Sequence, residues 1–309
     1  MTLHPRNRNR EQYDLQALIS VVPDLNNYIK PNKMGNPSID FSNPTAVKLL
    51  NRALLYHYYG LSFWDFSDKN LCPPVPGRAE YIHRIADLLT QYNGKKIPKG
   101  EQVTLVDVGV GASCIYPIVG VVEYDWSFIG ADIDAKSLAS SQSIIDNNPQ
   151  LKGKVSCRLQ RNQNAYFSGV IGKKEKVDVT ICNPPFHASI DDARSGTLRK
   201  VRNLTGNKNQ QNQRNFSGVP NELICEGGEL QFITKMIEES QQFAMNCFWF
   251  TTLVSKASNL KPIYTTLEQV KATKVETIEM NTGNKMSRIV AWTYLSKELQ
   301  KLWSEVRWK

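Results

Sequence analysis

Histidine and cysteine are scarce and scattered in this chain. Four histidines (4, 57, 83, 187) and six cysteines (72, 114, 157, 182, 225, 247) are spread over 309 residues, with no Cys-x-x-Cys pair and no ligand-spaced histidines. That argues against a zinc site and against a disulfide framework, and no metal is expected. Long apolar runs are missing as well. The longest, such as Val119–Val122 and Phe248–Phe250, are far too short to span a bilayer. The opening Met-Thr-Leu-His-Pro-Arg-Asn-Arg-Asn-Arg has no apolar stretch behind its charges, so it does not read as a secretory signal, and a cytoplasmic address is the default.

Acid is also in deficit. Lys and Arg number 38 against 29 Asp and Glu, for a formal net charge of +9. A surplus of this size favours a polyanionic partner through phosphate contacts and counterion release. Its distribution sharpens that reading. Residues 1–10 carry Arg6, Arg8 and Arg10 and no acid, and residues 187–221 carry Arg199, Lys200 and Arg202 among six basic residues against Asp191 and Asp192. Both stretches are rich in Asn and Gln and poor in large apolar residues, so they are expected to be flexible basic arms outside the core that meet a polyanion. The remaining composition, 41% hydrophobic and 22% charged, is that of a globular protein with a full core.

The chain changes rhythm near residue 95. Before it, apolar spacing within Gln12–Ser20, a cap at Asn43 ahead of Pro44–Tyr59, and a face of Ile82, Ile85, Ala86 and Leu89 predict helices. After it, short β-branched runs alternate with helical patterns, from Val103–Val108 to Ile289–Leu295. Alternation of this kind implies an α/β fold with a mostly parallel sheet and helices on both faces. Two regions are therefore expected: a basic, mainly helical RNA-binding region at 1–95 and a catalytic domain at 96–309.

Two motifs fall at strand ends, where open α/β sheets bind their ligands. The first is Asp107-Val-Gly109-Val-Gly111-Ala-Ser113. Its glycines permit a turn and a close backbone approach that a β-carbon would obstruct. Asp132 closes the next strand, 25 residues on from Asp107, where a carboxylate can accept from both hydroxyls of a ribose. A third small residue, as a dinucleotide fingerprint requires, is lacking because position 114 is Cys. Asp107 is placed to orient the loop or to accept from a ligand's ammonium group, and Asp134 reads as a helix cap.

The second motif is Asn183-Pro184-Pro185-Phe186. Two prolines stiffen the turn and remove two N–H donors, which leaves the Asn183 side chain and the Pro184 carbonyl as paired acceptors. Such a pair suits an exocyclic –NH2 group, and the following aromatic offers a stacking face for a flat ring. The chemistry that needs this arrangement is methyl transfer from S-adenosylmethionine by direct in-line displacement. An aromatic amine is a poor nucleophile, and acceptors out of the ring plane favour a tetrahedral nitrogen with an available lone pair.

Four stretches together carry a resemblance: Leu71-Cys-Pro-Pro-Val-Pro-Gly-Arg78-Ala-Glu-Tyr-Ile-His83, Asp107–Pro117, Cys182-Asn-Pro-Pro-Phe186 and Glu226-Gly-Gly-Glu-Leu230. The chain resembles the bacterial 23S ribosomal RNA adenine-N6 methyltransferases and their eukaryotic relatives that act on spliceosomal small nuclear RNA. The resemblance implies a Rossmann-like class I methyltransferase sheet and a monomer acting on 23S ribosomal RNA or a large-subunit precursor. It implies that Arg78, Gly109, Ser113 and Asp132 line the cofactor pocket and that Asn183 and Phe186 hold the adenine. A threonine of the eukaryotic relatives aligns loosely with Asn162. Two rival readings are a guanine-N2 methyltransferase, because His187 follows the tetrapeptide, and a non-catalytic RNA-binding assembly factor, against which the intact glycine loop, Asp132 and Asn183 argue. Trp64, Trp303 and Trp308 are read as packing residues, and Glu226 and Glu229 as helix-start residues.

Overall fold

The computed structural model describes residues 3–32, 34–185, 224–282 and 285–309, with the side chains of 281–286 left aside. Phe186, Arg199, Lys200 and Arg202 therefore lie outside the described residues.

The amino-terminal region supplies α1 (Leu15–Val21), α2 (Pro44–Tyr59) and α3 (Val75–Thr90), with a two-stranded antiparallel ribbon, β1 (Ile29–Pro31) and β2 (Pro37–Ile39), between the first two. Asn43 caps α2 as its position suggests, its side chain accepting from Thr45 N and Ala46 N, and Pro44 occupies the first turn, where its missing N–H costs nothing.

The rest of the described chain forms a seven-stranded sheet with flanking helices. Its strands are β3 (Thr104–Val108), β4 (Ser127–Asp132), β5 (Val155–Leu159), β6 (Val177–Cys182), β7 (Cys247–Val254), β8 (Lys274–Thr282) and β9 (Lys285–Thr293). The spatial order is β5-β4-β3-β6-β7-β9-β8. All neighbours are parallel except where β9 runs antiparallel to β7 and β8. The helices are α4 (Ile115–Tyr124), α5 (Ala135–Asp146), α6 (Gly228–Ser240), α7 (Leu260–Gln269) and α8 (Lys297–Arg307). The sheet interior is what the apolar runs require: every residue of β6 and β7 is buried, as expected of strands covered on both faces. Chain order reverses between β3 and β6, so a crevice opens at their carboxyl ends.

One hydrophobic cluster runs from Leu18, Leu54 and Trp64 through Ile82 and Ile118 to Val179 and Trp249. The helices before residue 95 thus share a core with one face of the sheet. A second cluster, built around Phe167, Ile233, Ile237 and Phe250, fills the other face.

The expectation that residues 1–10 stand clear as an arm is corrected by the structure. His4, Asn7 and Asn9 are buried, and the segment is strapped across α2, α3 and α4. His4 N donates to Glu80 at 2.7 Å, and Asn7 Nδ2 donates to the Pro76 carbonyl at 2.9 Å. Arg6 pairs with Asp87 at 2.6 Å and donates to Tyr124 Oη at 2.9 Å, while Arg8 pairs with Glu123 at 2.8 Å. The cause lies in partners far along the chain. Acids on α3 and α4 satisfy the arginines, and Asn side chains meet backbone carbonyls and hydroxyls that composition does not reveal.

Candidate active site

The glycine loop hangs from β3. Gly109 and Gly111 have φ of +84° and +66°, and nothing lies within 4 Å of where a β-carbon would stand on either. Both therefore present bare backbone to open space. Gly109 N and Val110 N both donate to the Ala131 carbonyl, at 2.9 and 3.0 Å, which folds the loop over β4. Ser141 Oγ donates to the Gly111 carbonyl at 2.7 Å from α5. Cys114, at the place a third glycine would take, adopts the left-handed conformation at φ +53° and is buried.

Asp132 ends β4 beside this loop. One carboxylate oxygen accepts from Gly111 N at 2.9 Å, and the other accepts from Asp134 N at 2.9 Å. The residue thus latches two turns together on the rim of the crevice. Asp134 caps α5 as anticipated, accepting from Lys136 N and Ser137 N.

Asp107 sits deeper. It is fully buried, and neither carboxylate oxygen has a hydrogen-bond partner among the described residues. Burial, reinforced by the neighbouring Asp132, raises its pKa well above the ordinary carboxyl range, and Arg78 works in the opposite direction. Arg78, half-buried in the first turn of α3, forms no salt bridge among the described residues. Its guanidinium donates to Tyr116 Oη at 3.1 Å and lies 5.5 Å from that ring's centroid. A buried carboxyl at the root of the open glycine loop and a nearby cation, neither with an ionic or hydrogen-bonded carboxylate partner among the described residues, fit a zwitterionic amino-acid group. Asp107 matches its ammonium and Arg78 its carboxylate.

Ser113 is buried at the base of the loop, where its carbonyl accepts from the Trp64 indole at 2.8 Å. Asn162 is placed differently. It is exposed in the turn after β5, with its side chain accepting from Asn164 N at 3.0 Å, and no described contact joins it to the glycine loop. The buried residue at this strand end is Gln160, whose backbone N–H donates to the Asp132 carbonyl at 2.8 Å and whose side chain holds the turn through Asn162 N and the Ser168 carbonyl.

The tetrapeptide begins where β6 ends. Cys182 is level with Val108, so Asn183 emerges next to Gly109 at the crevice. Asn183 Oδ1 is buried and has no hydrogen-bond partner among the described residues. Pro184 is buried beneath it, and the Pro185 carbonyl meets Cys225 Sγ at 4.0 Å. An orphaned amide oxygen costs about 1–3 kcal/mol, so its persistence in a functional cleft marks an acceptor kept for a donor from outside.

Several supporting residues escaped the sequence reading. Glu239 on α6 accepts from three consecutive backbone N–H groups, those of Tyr166, Phe167 and Ser168, the nearest at 2.6 Å. Glu229 goes beyond its place at the start of α6. It accepts from Ser255 N at 2.7 Å and Asn259 Nδ2 at 2.7 Å, tying down the turn after β7. Tyr81 Oη bonds Thr251 Oγ1 at 2.8 Å, which links α3 to the sheet under the crevice. The acids and tyrosines are visible in the sequence, but their partners lie up to 170 positions away, beyond any local pattern. Among the described residues no cluster of His, Cys, Asp or Glu could hold a metal ion.

Comparison with known proteins agrees with this geometry. The chain is 52% identical over 307 residues to ribosomal RNA large subunit methyltransferase F of Cytophaga hutchinsonii, covering 99% of this chain and 95% of that one. The protein of the same name from Serratia proteamaculans is 50% identical, covering 99% and 92%. Among solved structures, the catalytic domain of human METTL16 in complex with a MAT2A 3′UTR hairpin superposes with a TM-score of 0.79 at 27% identity, covering 96% of this chain and 97% of that one. The N-terminal domain of human METTL16 in complex with SAH gives 0.74 at 25% identity, covering 96% and 100%. A family model described as RNA methyltransferase matches residues 1–296, and the chain belongs to that family.

Proposed function

We propose that this protein transfers a methyl group from S-adenosylmethionine to N6 of an adenine in 23S ribosomal RNA, presented as free RNA or in a large-subunit precursor. The observation that carries the reading is the buried, unpartnered Asn183 Oδ1 at the mouth of the crevice, beside the open backbone of Gly109 and Gly111. The names of the bacterial relatives supply the RNA, and the relative in complex with SAH supports the cofactor.

When bound, S-adenosylmethionine supplies an electrophilic methyl group on a sulfonium. Arg78 would hold its carboxylate, Asp107 its ammonium, and Asp132 its ribose hydroxyls, with Gly109, Gly111 and Ser113 as the floor. Asn183 and the Pro184 carbonyl accept the two hydrogens of the adenine amine. That draws the nitrogen towards a tetrahedral geometry and aims its lone pair along the line of displacement. The N–C bond forms as the S–C bond breaks, and the nitrogen becomes acidic only then, so no side chain has to act as a strong base. Pro185 stiffens the turn, and Phe186 stacks on the flipped base. Arg10, whose ion partner is its exposed neighbour Glu11, is better placed than Arg6 or Arg8 to reach RNA; Arg199, Lys200 and Arg202, outside the described residues, are proposed as RNA contacts from the basic composition of their segment alone.

The test is mass spectrometry of nucleosides from 23S ribosomal RNA of cells with and without the protein. One N6-methyladenosine should disappear with the gene. Loss of N2-methylguanosine instead would hand the substrate to the guanine reading, and no change in any methylated nucleoside would overturn the proposal.

A further inference from the structure

A second basic site lies at the other end of α3. This helix begins at the cofactor crevice with Arg78 and leads to Tyr92, fourteen residues on. At 1.5 Å per residue that is about 20 Å. There, a shallow groove of about 310 Å³ is lined by Tyr92, Lys274, Lys297, Gln300, Lys301 and Ser304. Lys274 opens β8, which runs parallel to β7, so the groove belongs to the amino-terminal edge of the sheet, away from the crevice.

The charges here are unevenly matched. Lys274 donates to Tyr92 Oη at 2.8 Å and pairs with Glu276 at 2.5 Å. Lys297 and Lys301, one turn apart on α8, are exposed and make no salt bridge among the described residues. Of the acids near them, Glu298 bonds its own helix start at Ser296 while feeling the adjacent Lys297 charge, and Glu305 pairs with Lys309 at 3.9 Å. Beneath the groove, Asp178 is consumed by Arg307 and two indoles. Two exposed ammonium groups one turn apart on α8, lining a groove that also holds the Lys274–Tyr92 pair, are complementary to a run of phosphates.

From this charge complementarity we infer that the Tyr92–Lys274–Lys297–Lys301 groove binds the sugar–phosphate backbone of the substrate RNA at a point remote from the modified base. The inference rests on the reading of 23S ribosomal RNA as substrate. A separation of about 20 Å corresponds to roughly six base pairs of rise or a few nucleotides of extended strand, so one RNA chain can engage both ends of α3 together. The groove therefore contributes to substrate capture, leaving the chemical step to the crevice. α8, which supplies its outer wall, lies beyond the residues matched by the family model.

The experiment compares Lys297→Gln/Lys301→Gln with the unaltered protein and with a control pair of exposed lysines elsewhere, Lys152→Gln/Lys261→Gln. Methyl incorporation into an unmodified 23S transcript is followed across salt concentrations. The groove pair should raise KM roughly three- to tenfold with kcat unchanged, and should shrink the salt slope of RNA binding by about two, one per phosphate released. Both effects should exceed those of the control pair. Equal effects from the two pairs would reduce the groove to general net charge and overturn the inference. An unaltered KM and slope would do the same, as would a loss confined to ribosomal particles, which would place a protein in the groove. Absence of methylation by the unaltered protein on both the transcript and large-subunit precursor particles would instead sink the substrate reading itself.

Discussion

The Trp64 indole donates to the Ser113 carbonyl at 2.8 Å, joining a loop of the amino-terminal region to the base of the glycine loop. Both groups are buried, and 49 positions separate them. The loop that brings Trp64 is itself pinned by Asn148, whose side chain accepts from Ser62 N and donates to the Phe63 carbonyl. The helices before residue 95 are thus part of the frame of the proposed cofactor site. Trp64→Phe keeps most of the apolar volume and removes the donor, leaving a buried carbonyl unmatched at about 1–3 kcal/mol. Cofactor affinity measured by calorimetry should fall, while the salt dependence of RNA binding holds. Unchanged cofactor affinity would show that the loop keeps its shape without the indole.

At the proposed cofactor site, Asp107 couples pH to stability. Its folded-state pKa is raised, mainly by burial, so the folded chain holds a proton that the unfolded chain releases. Its contribution is therefore neutral below the ordinary carboxyl pKa. It becomes increasingly destabilising as pH climbs from there to the raised value, and levels off above it. Asp107→Asn should remove this penalty and make the protein more resistant to denaturant at neutral pH, with a flatter pH profile. The same change should abolish most cofactor binding. A variant that is both less stable and still able to bind would refute the assignment.

Asp178 is the corresponding anchor at the opposite edge. It accepts from the indoles of Trp303 and Trp308 at 2.7 and 2.8 Å, from Arg307 at 2.9 Å and from Thr104 N at 2.7 Å. Asp178→Ala strands all of these donors, a loss of about 3–5 kcal/mol for a buried charged network. Denaturant titration should show a lower midpoint, with the cofactor affinity of the remaining folded protein unaltered.

The arginines of the first ten residues should separate by role. Arg6→Ala loses an ion pair with Asp87 in which both side chains are more than a third exposed, along with a bond to the buried Tyr124, so its stability loss should be about 1 kcal/mol. Arg10→Ala should leave stability alone and lower the salt slope of RNA binding by about one. Identical effects of the two changes on RNA binding would restore the view of the segment as a single RNA-contacting arm.

How far these features could be read from sequence depends on how local their causes are. The sheet strands were legible because β-branched runs such as Val177–Cys182 and caps such as Asp134 act within a few residues of themselves. The glycine loop, Asp132 and Asn183 were legible because their chemistry is tied to strand ends, and the structure brings all three to one crevice. The β1–β2 ribbon was missed: its strands have three residues each, with a single buried side chain, Ile39, between them. α8 was missed because its sequence is polar on average and its buried face rests on Trp303 and on Asp178, 125 positions away. Arg78 entered only through the family resemblance, since nothing in a helix-surface arginine announces that Asp107 and Tyr116 will face it. Asn162 illustrates the reverse. A loose alignment chose an exposed turn residue where Gln160, two positions earlier, has the buried contacts.

Asn183 carries the most weight. Its Oδ1 is buried without a partner among the described residues, and in the proposed reaction it gains one as the adenine amine enters. The bond matters most as the nitrogen becomes tetrahedral, so Asn183→Ala should depress kcat on the order of a hundredfold or more. The cofactor dissociation constant should stay within about twofold, because the cofactor contacts lie on β3, β4 and α3. Removing an orphaned acceptor should also leave the free protein equally stable or slightly more so, an outcome a structural asparagine would not give. The discriminating measurement is therefore a pair: single-turnover methyl transfer to 23S RNA, and a melting curve of the free protein. A slow enzyme with an unchanged or raised melting temperature is expected. Full activity would end the role of Asn183 in transfer, and slow turnover with a markedly lowered melting temperature would assign it to the fold instead.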